Sequence, residues 1–134
     1  MRALSRDSKV GAVASFVGVV REVPMTLEHY AGMTEREIAK IVQEAGTRWQ
    51  VMDCTVIHRF GELHPTDQIV LVAVASAHRG DAFAACEFVM DYLKTRAPFW
   101  KKEQRAGGGQ WVEARASDDA AAERWEIRPG AVKP

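Results

Sequence analysis

The chain has 134 residues, with 18 Lys or Arg and 18 Asp or Glu, so its formal net charge is zero. This length predicts one domain over residues 1–134, which can bury a core without disulfides or a structural metal. The zero net charge argues against a general polyanion-binding protein, and a hydrophobic share of 47% is typical of a soluble globular chain.

The cysteines and the N-terminal sequence predict the compartment. Cys54 and Cys86 form no CxxC pair, which favours reduced thiols over a disulfide framework. The N-terminal segment MRALSRDSKVG has no apolar stretch long enough for a signal peptide. The longest apolar run, residues 69–75, is too short to cross a membrane. We therefore expect a cytoplasmic protein.

The first part of the chain predicts two strands. Residues 11–20, GAVASFVGVV, are rich in valine and bounded by glycine and charge, which is typical of a buried strand. Pro24 cannot donate a backbone hydrogen bond, so residues 21–26 are predicted to form a turn. A brief second strand is expected over residues 27–30.

The next segment predicts a helix and a strand. Thr34 and Glu37 have the spacing of a capping box, and apolar residues follow at helical intervals, so residues 34–48 are predicted to form an amphipathic helix. Residues 51–60 alternate with period two, which predicts a strand. One face of that strand would carry Cys54, Val56, His58 and Phe60.

A second strand and a second helix are predicted further along. Residues 61–67, GELHPTD, are typical of a connection, and residues 68–77 form a strand that is apolar on both faces and therefore central. Asp81 is expected to start the helix, and Pro98 is expected to end it near Arg96. The inner face of this helix is predicted to carry Phe83, Cys86, Met90 and Leu93.

The C-terminal part is predicted to be less regular. The three glycines at 107–109 indicate a loop, residues 111–114 a short strand, and residues 117–125 a short acidic helix capped by Ser117. The tail over residues 127–134 is expected to be loosely held. Because strands follow one another without intervening helices, the fold class is predicted as α+β rather than doubly wound α/β.

Metal binding and nucleophilic catalysis have little support in the sequence. Cys54 and His58 would lie about 13 Å apart along a strand, which is too far for one ion, and the other three histidines have no ligand spacing. Cys86 falls on the apolar face of its helix and is expected to belong to the core. The sequence contains no GxSxG, Walker or GxGxxG motif. We expect neither a metal nor a cofactor.

The densest local charge is basic. Five basic residues and two aromatic ones stand between positions 94 and 105, against one acid. This segment has three interpretations: cations at a helix C-terminus, an anion-binding pocket, or a site for single-stranded nucleic acid, against which the zero net charge counts. His78 and Arg79, where a central strand passes into a helix, and Arg21, behind the first strand, are further candidates for binding phosphate.

Six segments of the chain resemble the large, catalytic subunit of molybdopterin synthase. These segments are GAVASFVGVVR (11–21), LEHYAGMTEREIAKI (27–41), VIHRFGEL (56–63), VAVASAHRGDAF (72–83), MDYLKTRAPFWKKE (90–103) and WVEARASD (111–118). They cover most of residues 11–118, and DYLKTRAPFWKKE is the most specific of them.

The resemblance implies a function and an assembly. In that family, sulfur from the C-terminal Gly-Gly thiocarboxylate of a small ubiquitin-like partner is transferred to cyclic pyranopterin monophosphate, and two transfers build the dithiolene of molybdopterin. The implied fold is an α/β hammerhead with an additional antiparallel sheet. Two large subunits form a homodimer, and a small subunit at each outer end completes a heterotetramer.

The resemblance also implies the residues of the site. Lys94 and Lys101 match the family's catalytic lysines, with Lys94 beside the partner's C-terminus. The implied substrate-binding residues are Val19, Val20, Arg21, His78, Arg79, Lys94, Lys101, Lys102, Glu103 and Arg115. A phosphorylated substrate and an anionic sulfur donor require such a cationic pocket. Lys94 would stabilise the negative charge that develops as sulfur is transferred.

The alternative is a non-catalytic binding module for a ubiquitin-like tail or an anionic metabolite, and the intact basic motif residues argue against it. Two departures from the family remain. Only residues 22–26 separate the first two matching segments, and only ten residues precede the first strand. The contacts of that loop and of one sheet edge are therefore in question.

Overall fold

The computed structural model describes residues 8–97, 99–105, 108–112 and 116–126, and it describes side chains only for residues 8–97 and 120–126. These residues form seven strands and three helices. In chain order the elements are β1 (Ala12–Val19), β2 (Met25–His29), α1 (Met33–Arg48), β3 (Asp53–His58), β4 (Gly61–Leu63), β5 (Gln68–Ser76), α2 (Arg79–Thr95), β6 (Phe99–Arg105), β7 (Gly108–Val112) and α3 (Ala116–Glu123).

The strands form two antiparallel sheets. One has the order β1-β5-β3, and the other has the order β4-β2-β6-β7. The predicted central position of the strand at 68–77 is confirmed, because β5 pairs on both sides. The α+β class is also confirmed. None of the helices in the described part of the chain has the length and apolar character that crossing a bilayer requires.

The main core lies between the three-stranded sheet and the helices. Val72 and Val74 of β5 are fully buried and belong to the same cluster as Phe88 of α2 and Ile41 of α1. Each of these side chains contributes about 1.5–3 kcal/mol through burial. A smaller cluster joins the end of the first sheet to the second sheet and consists of Val20, Met25, Leu27 and Leu63. Together the clusters hold the ends of β1 and α2 in place.

Two strands were not predicted. β4 lies inside the segment 61–67, and it is too short for a hydrophobic pattern to reveal. β6 covers residues 99–105, whose polar sequence shows no alternation but which pair with strands on both sides. β2 begins at Met25, so it includes the end of the expected turn. β7 includes Gly108 and Gly109 of the expected glycine loop and ends at Val112.

The beginnings of the helices also differ from the prediction. The capping box at Thr34 and Glu37 is wrong: Gly32 is the N-cap of α1, and the Glu35 carboxylate accepts a hydrogen bond from the Gly32 N–H. Thr34 is buried, and its Oγ1 accepts a hydrogen bond from the N–H of Tyr30 at 3.2 Å. α3 begins at Ala116, so Ser117 lies within the helix rather than at its cap.

The second helix begins earlier than predicted and turns one aromatic side chain outward. α2 starts at Arg79 with His78 as its N-cap, while the Asp81 carboxylate accepts a hydrogen bond from the N–H of Gln50 at 3.1 Å. Its end at Arg96 is confirmed. Phe83 is 67% exposed and therefore does not belong to the inner face, in contrast to the other three predicted residues. The tail at 127–134 lies outside the described residues.

Candidate functional site

The exit of β1 positions Arg21. Val20 is buried, and two hydrogen bonds hold its backbone. Its N–H donates to the Asp67 carbonyl at 2.9 Å, and its carbonyl accepts from the Thr66 N–H at 2.9 Å. The chain then turns sharply, because Glu22 has a positive φ of 71° and the Val23 N–H donates to the Arg21 carbonyl at 2.8 Å. Arg21 therefore stands exposed at a rigid strand end.

Lys94 lies in the last turn of α2, and its side chain is exposed. The end of this helix is held by Arg96, whose guanidinium stacks over the Tyr92 ring at 3.9 Å and forms an ion pair with Glu44 of α1 at 3.2 Å. A lysine at this position also interacts favourably with the helix dipole. The structure thus presents the Lys94 ammonium from a well-anchored helix end.

His78 and Arg79 lie at the opposite end of α2, and both are exposed. The His78 N–H donates to Ser76 Oγ at 3.4 Å, and that hydroxyl donates to the Gln50 carbonyl at 2.6 Å. Sixteen residues separate His78 from Lys94, which corresponds to about 24 Å along a helix. One chain therefore cannot bring both to the same small molecule.

The predicted residues consequently fall into two groups. β5 pairs with β1 from Gln68 opposite Val19 to Ser76 opposite Ala12, and α2 then returns along the sheet. The Cys86 thiol, midway along α2, donates to the Val72 carbonyl at 3.8 Å, midway along β5. The group at the Lys94 end consists of Val19, Val20, Arg21 and Lys94, and the other group consists of His78 and Arg79.

The remaining predicted residues are only partly described. Lys101, Lys102 and Glu103 lie in β6, where the backbone pairs them with Leu27, Thr26 and Met25 of β2. That register joins β6 to the strand that leads away from Arg21. Arg115 lies outside the described residues.

A cavity of about 540 Å³ lies between α1 and β3, and no sequence pattern indicated it. Its wall includes the His29 ring, whose centroid is 4.0 Å from that of Phe60 and whose Nδ1 is 4.0 Å from the Glu35 carboxylate. Burial lowers the pKa of His58, which also lines the cavity, and His29 adds to this effect. None of the predicted site residues lines this cavity.

The two thiols are poor nucleophiles. Burial raises the pKa of Cys54 to about 11, with smaller contributions from Cys86 and Asp53, and burial also raises the pKa of Cys86. Because the thiolate is the reactive form, neither cysteine is equipped to carry sulfur at neutral pH. Among the residues that the structure describes, no three His, Cys, Asp or Glu side chains are placed to hold a metal ion.

Comparison with known proteins identifies the family. The family model described as "MoaE protein" matches residues 1–96. A molybdopterin synthase catalytic subunit from Ralstonia nicotianae is 60% identical over 126 residues, which cover 89% of this chain and 72% of that relative.

Two solved structures have the same fold. The molybdopterin biosynthesis MoaE protein from Burkholderia ambifaria is 57% identical, with a TM-score of 0.80, and the match covers 95% of this chain and 88% of that one. Molybdopterin synthase from Staphylococcus aureus is 36% identical, with a TM-score of 0.77, over 83% of this chain and 86% of that one. This chain therefore belongs to the MoaE protein family.

Proposed function

We propose that this chain is a sulfurtransferase that moves sulfur from the C-terminal thiocarboxylate of a small ubiquitin-like partner to cyclic pyranopterin monophosphate, forming the dithiolene of molybdopterin. The observation that carries the proposal is the 60% identity to a molybdopterin synthase catalytic subunit. The basic residues of the matching motifs, among them Lys94, Lys101 and Arg79, are present in this sequence. Because that relative is named a catalytic subunit, a second, sulfur-carrying subunit is a natural partner.

Lys94 is proposed as the catalytic residue that meets the thiocarboxylate. Its exposed ammonium at the anchored end of α2 supports this role, since a flexible tail can approach it from solvent. When water adds to the acyl carbon of the sulfur-linked partner, the acyl C–S bond breaks, the partner leaves as a carboxylate and the sulfur stays on the substrate as a thiol. The Lys94 ammonium would stabilise the oxyanion that develops on the acyl carbon in this step. Lys101 is proposed as a second cation of this site, and Lys102 and Glu103 would adjoin the substrate.

Arg21 and the neighbouring Val19 and Val20 are proposed to bind substrate at the same end of the molecule. Two backbone hydrogen bonds hold Val20, which supports a fixed backbone from which the exposed Arg21 side chain extends. A guanidinium binds phosphate through two parallel hydrogen bonds. Arg115 is proposed to add a further cation from its position in the WVEAR motif.

His78 and Arg79 are proposed to complete this site from a second copy of the chain. The separation of about 24 Å along α2 supports that arrangement, because it prevents one chain from using both groups on one substrate. A symmetric homodimer, which places each His78-Arg79 pair beside the Lys94 of the other copy, would create two equivalent sites. A small partner at each site would give the heterotetramer.

The architecture and the thiols support two finer assignments. We assign the fold to the α/β hammerhead type, with the four-stranded sheet as the additional subdomain, on the basis of the two separate antiparallel sheets. We place the reaction in the cytoplasm, because both cysteines are free and such thiols are typical of a reducing compartment.

The test is product formation from purified thiocarboxylated partner and cyclic pyranopterin monophosphate. Lys94→Ala should lower the rate of dithiolene formation by about 100-fold or more, as loss of one oxyanion donor commonly does. Lys40→Ala is the matched control, because Lys40 is an exposed lysine on α1 that pairs only with its neighbour Glu37 among the bonds described. A wild-type protein that binds the partner but forms no product would instead indicate a non-catalytic binding module.

A further inference from the structure

The Asp91 carboxylate lies three residues before Lys94 and is occupied by the C-terminal segment of the chain. The Trp125 indole Nε1–H donates to Asp91 Oδ2 at 2.7 Å, and Arg124 Nη2 donates to the same oxygen at 3.0 Å. Arg124 also donates to Glu87, one turn earlier on α2. The Asp91 side chain is only 15% exposed, so these donors replace most of its water.

The position of Trp125 does not depend on Asp91 alone. Its ring packs edge-on against Trp49 and Phe88, with centroids 5.4 Å and 5.8 Å away. Its carbonyl accepts a hydrogen bond from the Arg48 guanidinium. Contacts with both α1 and α2 therefore bring the indole N–H to Asp91 as part of the core.

Without these donors, Asp91 has an obvious alternative partner. Residues three apart on a helix are neighbours, so an acid and a lysine at this spacing can form an ion pair. Such a pair would direct the Lys94 ammonium back along α2 and partly neutralise it. Both effects would oppose the recognition of an incoming anion.

We propose that Trp125 and Arg124 are positioning residues that keep the Asp91 carboxylate occupied, so that the Lys94 ammonium stays free for the anionic sulfur donor. The inference rests on the proposed function in assigning Lys94 its substrate. The availability of Lys94 can, however, be measured without that reaction.

The test compares three variants of the full chain. Arg124→Met with Trp125→Phe removes both donors and retains the aliphatic and aromatic bulk. Adding Asp91→Asn removes the charge that would capture Lys94. Adding Glu87→Gln instead is the matched control, because Glu87 also loses Arg124 but lies about two turns from Lys94.

The first readout is the acetylation rate of Lys94 by acetic anhydride at fixed pH, measured by peptide mass spectrometry with Lys40 as the internal reference. We expect the double variant to react about twofold more slowly than wild type, as a helical ion pair of this kind implies. Asp91→Asn should restore the rate, and Glu87→Gln should not. An unchanged rate in the double variant, or equal restoration by both additions, would overturn the inference.

The second readout is the rate of dithiolene formation, which should follow the same order. If Arg124 and Trp125 only stabilise the fold, the double variant should have a lower unfolding midpoint, and Asp91→Asn should not restore the rate of dithiolene formation. If the double variant does not fold, Trp125→Phe alone, with and without Asp91→Asn, provides the comparison with a smaller expected effect, because Arg124 still donates to Asp91. Normal product formation by Lys94→Ala would contradict the proposed function and leave the acetylation result to decide the inference.

Discussion

Burial of His58 shifts its protonation equilibrium towards the neutral form. Its ring lies in β3 beside the cavity, and Nδ1 is 2.8 Å from the Arg59 carbonyl. Burial lowers the pKa of His58 from 6.5, and the charge of His29 adds to this, although the Arg59 carbonyl opposes it. The folded chain therefore favours the neutral imidazole.

This preference predicts a pH dependence of stability. Because the pKa of His58 is lower in the folded chain, its contribution to the free energy of unfolding is full above about pH 6.5 and is lost as the pH falls towards the folded pKa. The thermal unfolding midpoint should therefore decrease as the pH is lowered from 7 to 5, and His58→Gln should make this decrease smaller.

His64→Gln is the control for that experiment, because the His64 side chain is exposed. Glu35, whose pKa is lowered by backbone hydrogen bonds, titrates below this range. Thermal unfolding of the three proteins at each pH is the measurement. A wild-type slope that persists in His58→Gln would show that burial of His58 does not link folding to protons.

At the scale of elements, the periodicity of apolar residues predicted the long strands and helices that enclose the core. β5 and α1 agree with the sequence because each carries a complete apolar pattern, and burial rewards that pattern directly. β6 could not be predicted this way, since its strand conformation comes from pairing with β2 and β7 rather than from its own polar sequence. The start of α1 differs from the prediction because Glu35 and Gly32 provide a cap ahead of Thr34.

Alanine substitutions at two glycines are expected to have opposite effects on the free energy of unfolding. A Cβ on Gly11 would lie 2.1 Å from the carbonyl oxygen of Ala77, so Gly11→Ala must displace the backbone at the start of the β1–β5 pair. We expect a loss of about 1–3 kcal/mol in the free energy of unfolding.

Gly46→Ala is the matched substitution in a helix. Apart from the adjacent residues and the backbone of the helix itself, no atom lies within 4 Å of the position that a methyl group would take on Gly46. Alanine is also the better helix former, so a gain of about 0.5–1 kcal/mol is expected. Urea titration of both variants should move the unfolding midpoints in opposite directions. A Gly11→Ala midpoint equal to that of wild type would mean that the start of β1 accommodates the methyl group without loss of stability.

For the whole molecule, the motifs suggest candidate site residues but do not show how these residues are distributed. The predicted helix at 81–96 already separates His78 from Lys94, so the sequence contains the information that they lie at opposite ends. The way in which α2 returns along β5 to bring Lys94 to the end that carries Arg21 depends on the sheet order. That order comes from long-range pairing, which local patterns do not determine.

A site shared between two copies predicts complementation. Lys94→Ala and the double variant His78→Ala, Arg79→Ala should each be nearly inactive as homodimers. When the two are unfolded, mixed in equal amounts and refolded, half of the dimers are mixed, and one of the two sites in each mixed dimer contains intact Lys94, His78 and Arg79. The mixture should therefore recover about one quarter of the wild-type rate of dithiolene formation. Sites contained within single chains would recover nothing, because every chain carries a defect, and that outcome would refute the two-chain site.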